Sequence, residues 1–110
     1  MSISSITVSD VPDDLPDGTV LLDVREVVEW QAGHAPNAVH LPLSTLPVRI
    51  GDVPAGRLLV ICKAGGRSAQ AVQYLTQHGH DAVNVDGGML DWEAAGRPMV
   101  SEDGQDPQVI

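Results

Sequence analysis

A chain of 110 residues is long enough for one domain with a real hydrophobic core and too short for two. Its formal charge of −9 sets up a field that repels nucleic acid and anionic membrane surfaces, so neither is expected as a partner. A single cysteine excludes an internal disulfide and a multi-cysteine metal site, and with no Phe, two Trp and one Tyr the core has to be aliphatic.

Taken in chain order, residues 1–5 carry neither the basic region nor the apolar run of a secretion signal. No stretch approaches the roughly 18–20 apolar residues of a membrane span. A lone thiol suits a reducing compartment, so the expected location is cytoplasmic. Residues 3–8 read as an edge strand. Residues 20–24 are the first clear strand, and Leu21-Leu22 is apolar without alternation, the pattern of a strand covered on both faces. Residues 26–32 form a short helix that stops at Gly33, and residues 38–41 a further strand. Residues 44–50 have helical spacing, weakened by Pro47.

Residues 58–61, Leu-Leu-Val-Ile, are again a strand buried on both faces. The best helix covers residues 67–78, where Ala71, Val72 and Leu75 recur at helical spacing and Gly79 supplies the stop. Residues 82–85 follow as a weaker strand and 89–95 as a last short helix before Gly96 and Pro98. From Val100 the chain is acidic and punctuated by Gly and Pro. Residues 101–110 therefore read as a flexible tail on a single domain of residues 1–100.

Alternating strands and helices with both-sided burial predict an α/β fold: a mostly parallel sheet with helices on both faces. In such folds ligands gather beyond the carboxyl ends of the strands. Two segments place reactive side chains there. Asp23-Val24-Arg25 follows the strand at 20–24, and Cys62-Lys63-Ala64-Gly65-Gly66-Arg67-Ser68 follows the strand at 58–61.

The second segment has the makings of an anion cradle. A buried strand delivers Cys62 to the sheet's edge, and a long helix begins about five residues later. Gly65 and Gly66 allow successive N–H groups to turn inward, and the helix adds its unsatisfied N–H groups and positive dipole end. A thiol inside that ring is held as the nucleophilic thiolate, with a pKa below the ~8.5 of a free cysteine. Lys63 is the loop residue expected to face an anionic substrate. Ser68 either caps the helix or donates to the sulfur.

The segment resembles the C-x-x-G-x-R-S active-site loop of rhodanese domains. Asp23-Val24-Arg25, then Glu29-Trp30 and Gly33-His34-Ala35-Pro36-Asn37-Ala38, resemble that family's D-V-R…E-[WYF]-x-x-G-H-I-P-G-A signature. Gly87-Gly88-Met89 with Trp92 and Gly96-Arg97-Pro98 resemble its G-G-x-x-x-W…G-x-P ending. Ala35 and Asn37 depart from the usual Ile and Gly, but Asn tolerates positive φ, so the turn is expected to survive.

The resemblance implies a five-stranded, mostly parallel sheet flanked by helices, and a thiosulfate sulfurtransferase working by a ping-pong route. Cys62 would be the catalytic residue, taking the outer sulfur of a small anionic donor as a persulfide and passing it to a thiol or cyanide-like acceptor, which includes a protein thiol. Residues Lys63, Ala64, Gly65, Gly66, Arg67 and Ser68 would bind substrate, with no cofactor and no metal. A persulfide carrier or regulatory, sensing module with the same loop is the alternative. The related phosphatases and arsenate reductases resemble C-x5-R, one residue longer than the four between Cys62 and Arg67, so the tighter loop favours sulfur.

Two residues are expected to support the site. Asp23 either orients the loop through Arg67 or caps a turn, and Arg25 pairs with Glu29 at helical spacing. His34, His40, His78 and His80 are scattered and carry no metal-ligand pattern, His34 being expected to fix its turn by hydrogen bonding. Trp30 and Trp92 are expected as core anchors, Trp92 with a place at a pocket rim.

Overall fold

The structure is a computed structural model, and residues 3–110 are described. Five strands, β1 (Ser5–Thr7), β2 (Thr19–Asp23), β3 (Val39–His40), β4 (Arg57–Ile61) and β5 (Asp81–Asp86), form one sheet in the order β1-β5-β4-β2-β3. Every pairing is parallel. Three α-helices, α1 (Val27–Ala32), α2 (Gly66–Gln77) and α3 (Gly88–Ala94), connect or follow the strands.

The central strands are buried on both faces, and alternation along them divides the core in two. Leu22, Leu58, Val60, Cys62 and Ala82 pack with Ala71, Val72 and Leu75 of α2. Leu21, Leu59, Ile61, Val83 and Val85 face the other way and meet Met89 and Trp92 of α3. The unalternating apolar runs are therefore two interleaved period-two sets, each with its own helical layer.

The strand and helix expectations hold within one or two residues at most boundaries. The exception is the helix expected over residues 44–50. The chain there makes two separate 3-10 turns, Leu43–Thr45 and Ile50–Asp52, because Pro47 has no N–H to continue a ladder.

The tail also differs from its composition. Val100 pairs with His34 in an antiparallel bridge, Glu102 N–H donates to Gln31 O at 2.8 Å, and Gln108 N–H donates to Ala32 O at 3.0 Å. Val109 packs onto the α3-side core. Residues expected as a flexible appendage thus lie along the end of α1. Gly33 makes this possible, since a Cβ there would meet the Gln108 backbone at 2.6 Å. Charge and Gly/Pro content describe solvation, and the backbone hydrogen bonds that hold this segment leave no mark in composition. Among the described residues no helix is long and apolar enough to cross a membrane.

Candidate active site

Strand β4 ends at Ile61, and the chain turns at Cys62 into a loop that closes on α2. Cys62 is only 1% exposed, its side chain continuing the α2-facing row of Leu58 and Val60. Gly65 takes a left-handed conformation (φ 111°) that L side chains rarely adopt, and this turns its N–H back onto Cys62 Sγ at 3.1 Å. Ser68, fully buried in the first turn of α2, places Oγ 3.2 Å from the same sulfur.

Ser68 Oγ also lies 3.2 Å from Gly65 O. One hydroxyl proton cannot serve both at once, so its direction follows the protonation of the cysteine. Beside a thiol it donates to the carbonyl; beside a thiolate it rotates to the sulfur. Of the two roles expected of Ser68, the cap is not taken, since Gly65 is the N-cap of α2 and no side chain caps that helix; the place beside the sulfur is.

The opposing effects on Cys62 are explicit. Burial pushes the thiol pKa up, but the Ser68 hydroxyl and the N–H groups of Ser68, Gly65 and Ala64 favour the charged form. The donors win, and the pKa lies below the ordinary cysteine value. Lys63 is half-buried and Ala64 and Gly66 are exposed, so the outer part of the loop meets solvent.

The loop is braced from two sides. On one side, Arg67 forms a two-pronged ion pair with Glu29 of α1, at 2.7 and 2.8 Å. Those bonds hold the Glu29 carboxyl below its usual range, against the opposing effect of burial. On the other side stands the turn from β5 into α3. Met89 N–H donates to Cys62 O at 2.8 Å and Leu90 N–H to Lys63 O at 3.0 Å. The backbones approach so closely that a side chain on Gly88 (φ 56°) would collide with the Cys62 and Lys63 carbonyls.

Of the two supporting residues, Arg25 is placed otherwise than expected, while Asp23 takes the turn-capping one of its two expected roles, its Oδ1 accepting the Arg25 N–H at 3.0 Å. Asp23 neighbours the Cys62 strand, in register with Ile61, but does not take Arg67. Its carboxylate is occupied by Arg25, through Nε at 3.0 Å and Nη2 at 2.8 Å, both side chains fully buried. Arg25 in turn reaches the main chain of α1 rather than the Glu29 carboxylate, donating to Gly33 O at 2.7 Å and Glu29 O at 3.4 Å. The partners are exchanged because Glu29 projects from the first turns of α1 toward the start of α2, whereas Arg25 folds back under α1. Asp23 and Arg25 therefore reach the loop only indirectly, by fixing the helix that presents Glu29.

His34 does fix its turn, lying between Ala35 O (2.9 Å) and Glu102 Oε1 (2.8 Å), and Asn37 adopts positive φ (64°). Trp92 is a core anchor at 5% exposure, and it lines a cavity with Arg97 and Pro98 on the α3 face, away from Cys62. Trp30 is not one: it is half-buried and stacks between His34 and His40, with ring centroids 3.5 and 4.6 Å away. Among the described residues no three His, Cys, Asp or Glu side chains gather as a ligand set.

Four site residues carried no expectation in the place they hold. Glu29 as the partner of Arg67 was hidden because two carboxylates compete for two arginines, and spacing along the chain does not rank them. The Gly87-Gly88 turn as a backstop, and Asn84 beneath the loop, depend on β5 lying beside β4. The adjacent glycines were the one available sign of close backbone approach.

The model of the rhodanese-like domain family matches residues 7–95 of this chain. A protein of Allochromatium vinosum named sulfurtransferase is 39% identical over 87 residues, 77% of this chain and 81% of its own. The crystal structure of a rhodanese-related protein from Thermoplasma volcanium is similar at a TM-score of 0.81 and 35% identity, covering 88% of this chain and 97% of that one. That of a rhodanese-like domain protein from Staphylococcus aureus has a TM-score of 0.74 at 31% identity, covering 96% and 99%.

Proposed function

The chain belongs to the rhodanese-like domain family, and from that premise we propose that it is a sulfurtransferase in which Cys62 carries the transferred sulfur as a persulfide. The observation that carries this reading is the sulfur's coordination: Cys62 Sγ receives the Gly65 N–H at 3.1 Å and faces the Ser68 hydroxyl at 3.2 Å. Donors placed around a thiolate also suit the terminal sulfur of a persulfide anion, which extends the same charge outward.

With thiosulfate as donor, the thiolate attacks the outer sulfur. The S–S bond of the donor breaks, its electron pair leaves with sulfite, and a new S–S bond forms on Cys62. A nucleophilic acceptor, cyanide or a thiolate, then attacks the outer sulfur and returns Cys62 as thiolate. Neither step needs an external oxidant, and neither needs a strong general base. Lys63, on the solvent side of the loop, supplies positive charge for an anionic donor. Arg67 is held by Glu29, so its contribution is mainly to fix the shape of the loop. A nucleophilic thiol of this kind suits a reducing compartment such as the cytoplasm.

The test is steady-state turnover of thiosulfate with a nucleophilic acceptor by wild type and by Cys62→Ser. Loss of turnover with the fold unchanged by circular dichroism is expected. Appreciable turnover by the variant would refute the proposal.

A further inference from the structure

Beneath the loop lies a polar side chain that the scheme above leaves unused. Asn84 is on β5, in register with Val60 of β4. It is 3% exposed. By strand alternation it lies on the face of Ala82, Val60 and Cys62, the aliphatic row under α2. Its Nδ2 donates to Asp86 Oδ1 at 2.8 Å and to Gly65 O at 3.4 Å.

Both of those partners are acceptors, so the amide nitrogen must face them and the oxygen is forced the other way. Oδ1 is buried and no protein donor reaches it. A buried amide oxygen without a donor is a net cost to folding, and an apolar side chain in this row would avoid it. What the amide gains at this position is its hold on Gly65. That residue has the left-handed backbone whose N–H meets Cys62 Sγ.

We propose that Asn84 is a positioning residue for the sulfur-carrying loop: its amide, anchored by Asp86, holds the Gly65 carbonyl and so keeps the Gly65 N–H directed at Cys62 Sγ. The inference rests on the reading of Cys62 as the sulfur carrier, but its first consequence concerns only the thiol. Gly65 O also accepts the Ala69 N–H at 3.1 Å and lies 3.2 Å from Ser68 Oγ, so the amide is its third and longest contact; without it the Gly65 backbone is held less tightly, and the thiolate loses part of its stabilisation.

The experiment replaces Asn84 by Val, with Asn84→Ala as a second variant that places no added bulk against α2. The Cys62 titration is read by thiolate absorbance, beside thermal melting and sulfur transfer from thiosulfate. The thiol titration is expected to move up by about half a pH unit, the worth of one modest hydrogen bond. Transfer should fall severalfold, while the melting temperature of Asn84→Val stays level or rises because the unpaired oxygen is gone. An unchanged thiol titration in a folded variant overturns the proposal, whatever happens to stability. If wild type accepts no sulfur yet the titration still moves on substitution, the role of Asn84 stands and the sulfurtransferase reading falls.

Discussion

At Cys62 two strong and opposite effects meet, since burial alone would keep the sulfur protonated and unreactive. The outcome turns on a few donors, of which the Ser68 hydroxyl has the largest effect. Ser68→Ala removes that donor and leaves the N–H groups in place. The thiol pKa should rise by about one unit, the worth of a hydrogen bond to a charged group. Because the reactive form is the deprotonated one, the pH–rate profile for alkylation should shift to higher pH and the rate at neutral pH should fall. A profile unchanged from wild type would mean that the N–H groups suffice. The residues of this site were legible to the extent that their chemistry is contiguous in the chain. Cys62, Gly65, Arg67 and Ser68 lie within seven positions, so their meeting required only one turn. The ion pairs were not legible, because Asp23 and Glu29 are both close in sequence to Arg25, and only the path of α1 decides which carboxylate faces Arg67.

Among the elements, the turn from β5 into α3 does more than connect. It donates two backbone hydrogen bonds to the start of the loop, and Gly87 and Gly88 both have positive φ, at 81° and 56°. Gly88→Ala would combine backbone strain with a collision against two carbonyls. It should lower unfolding stability by about 2 kcal/mol or more and disable sulfur transfer together with it. The midpoint of a urea titration with a parallel activity assay checks this. A variant that loses neither would show that the turn is not the backstop of the loop. Element identities followed from periodicity, because α2 and the buried strands bury their apolar residues at regular intervals. The departures occur where burial is thin. Around Pro47 local sterics outweigh helical spacing, and residues 100–108 are held by backbone hydrogen bonds to the end of α1 and to His34 just after it, which no side-chain pattern reports.

For the molecule as a whole, charge sets how a donor arrives. Each of the five arginines is paired with a carboxylate, at distances from 2.7 to 3.9 Å, and among the described residues Lys63 is in no such pair. One local cation therefore works against a net charge of −9. Exposed charges are screened beyond about 10 Å at 0.1 M salt. Raising the ionic strength should then weaken the overall repulsion more than the local attraction, and the apparent KM for thiosulfate should fall. A KM that rises with salt would mean that the cradle dominates the field. The parallel sheet, with the Asp23 and Cys62 strands side by side, delivers the loop to the carboxyl edge; the strand–helix alternation of the sequence implied that edge, and the strand order is seen only in the structure. Whether Cys62 carries a transferable sulfur is read out by intact mass spectrometry. After incubation with thiosulfate or a low-molecular-weight persulfide, the wild-type chain should gain the mass of one sulfur atom, lose it to a reductant or to cyanide, and gain nothing as Cys62→Ser. No gain with either donor, or an equal gain by Cys62→Ser, would contradict the reading of Cys62 as the sulfur carrier.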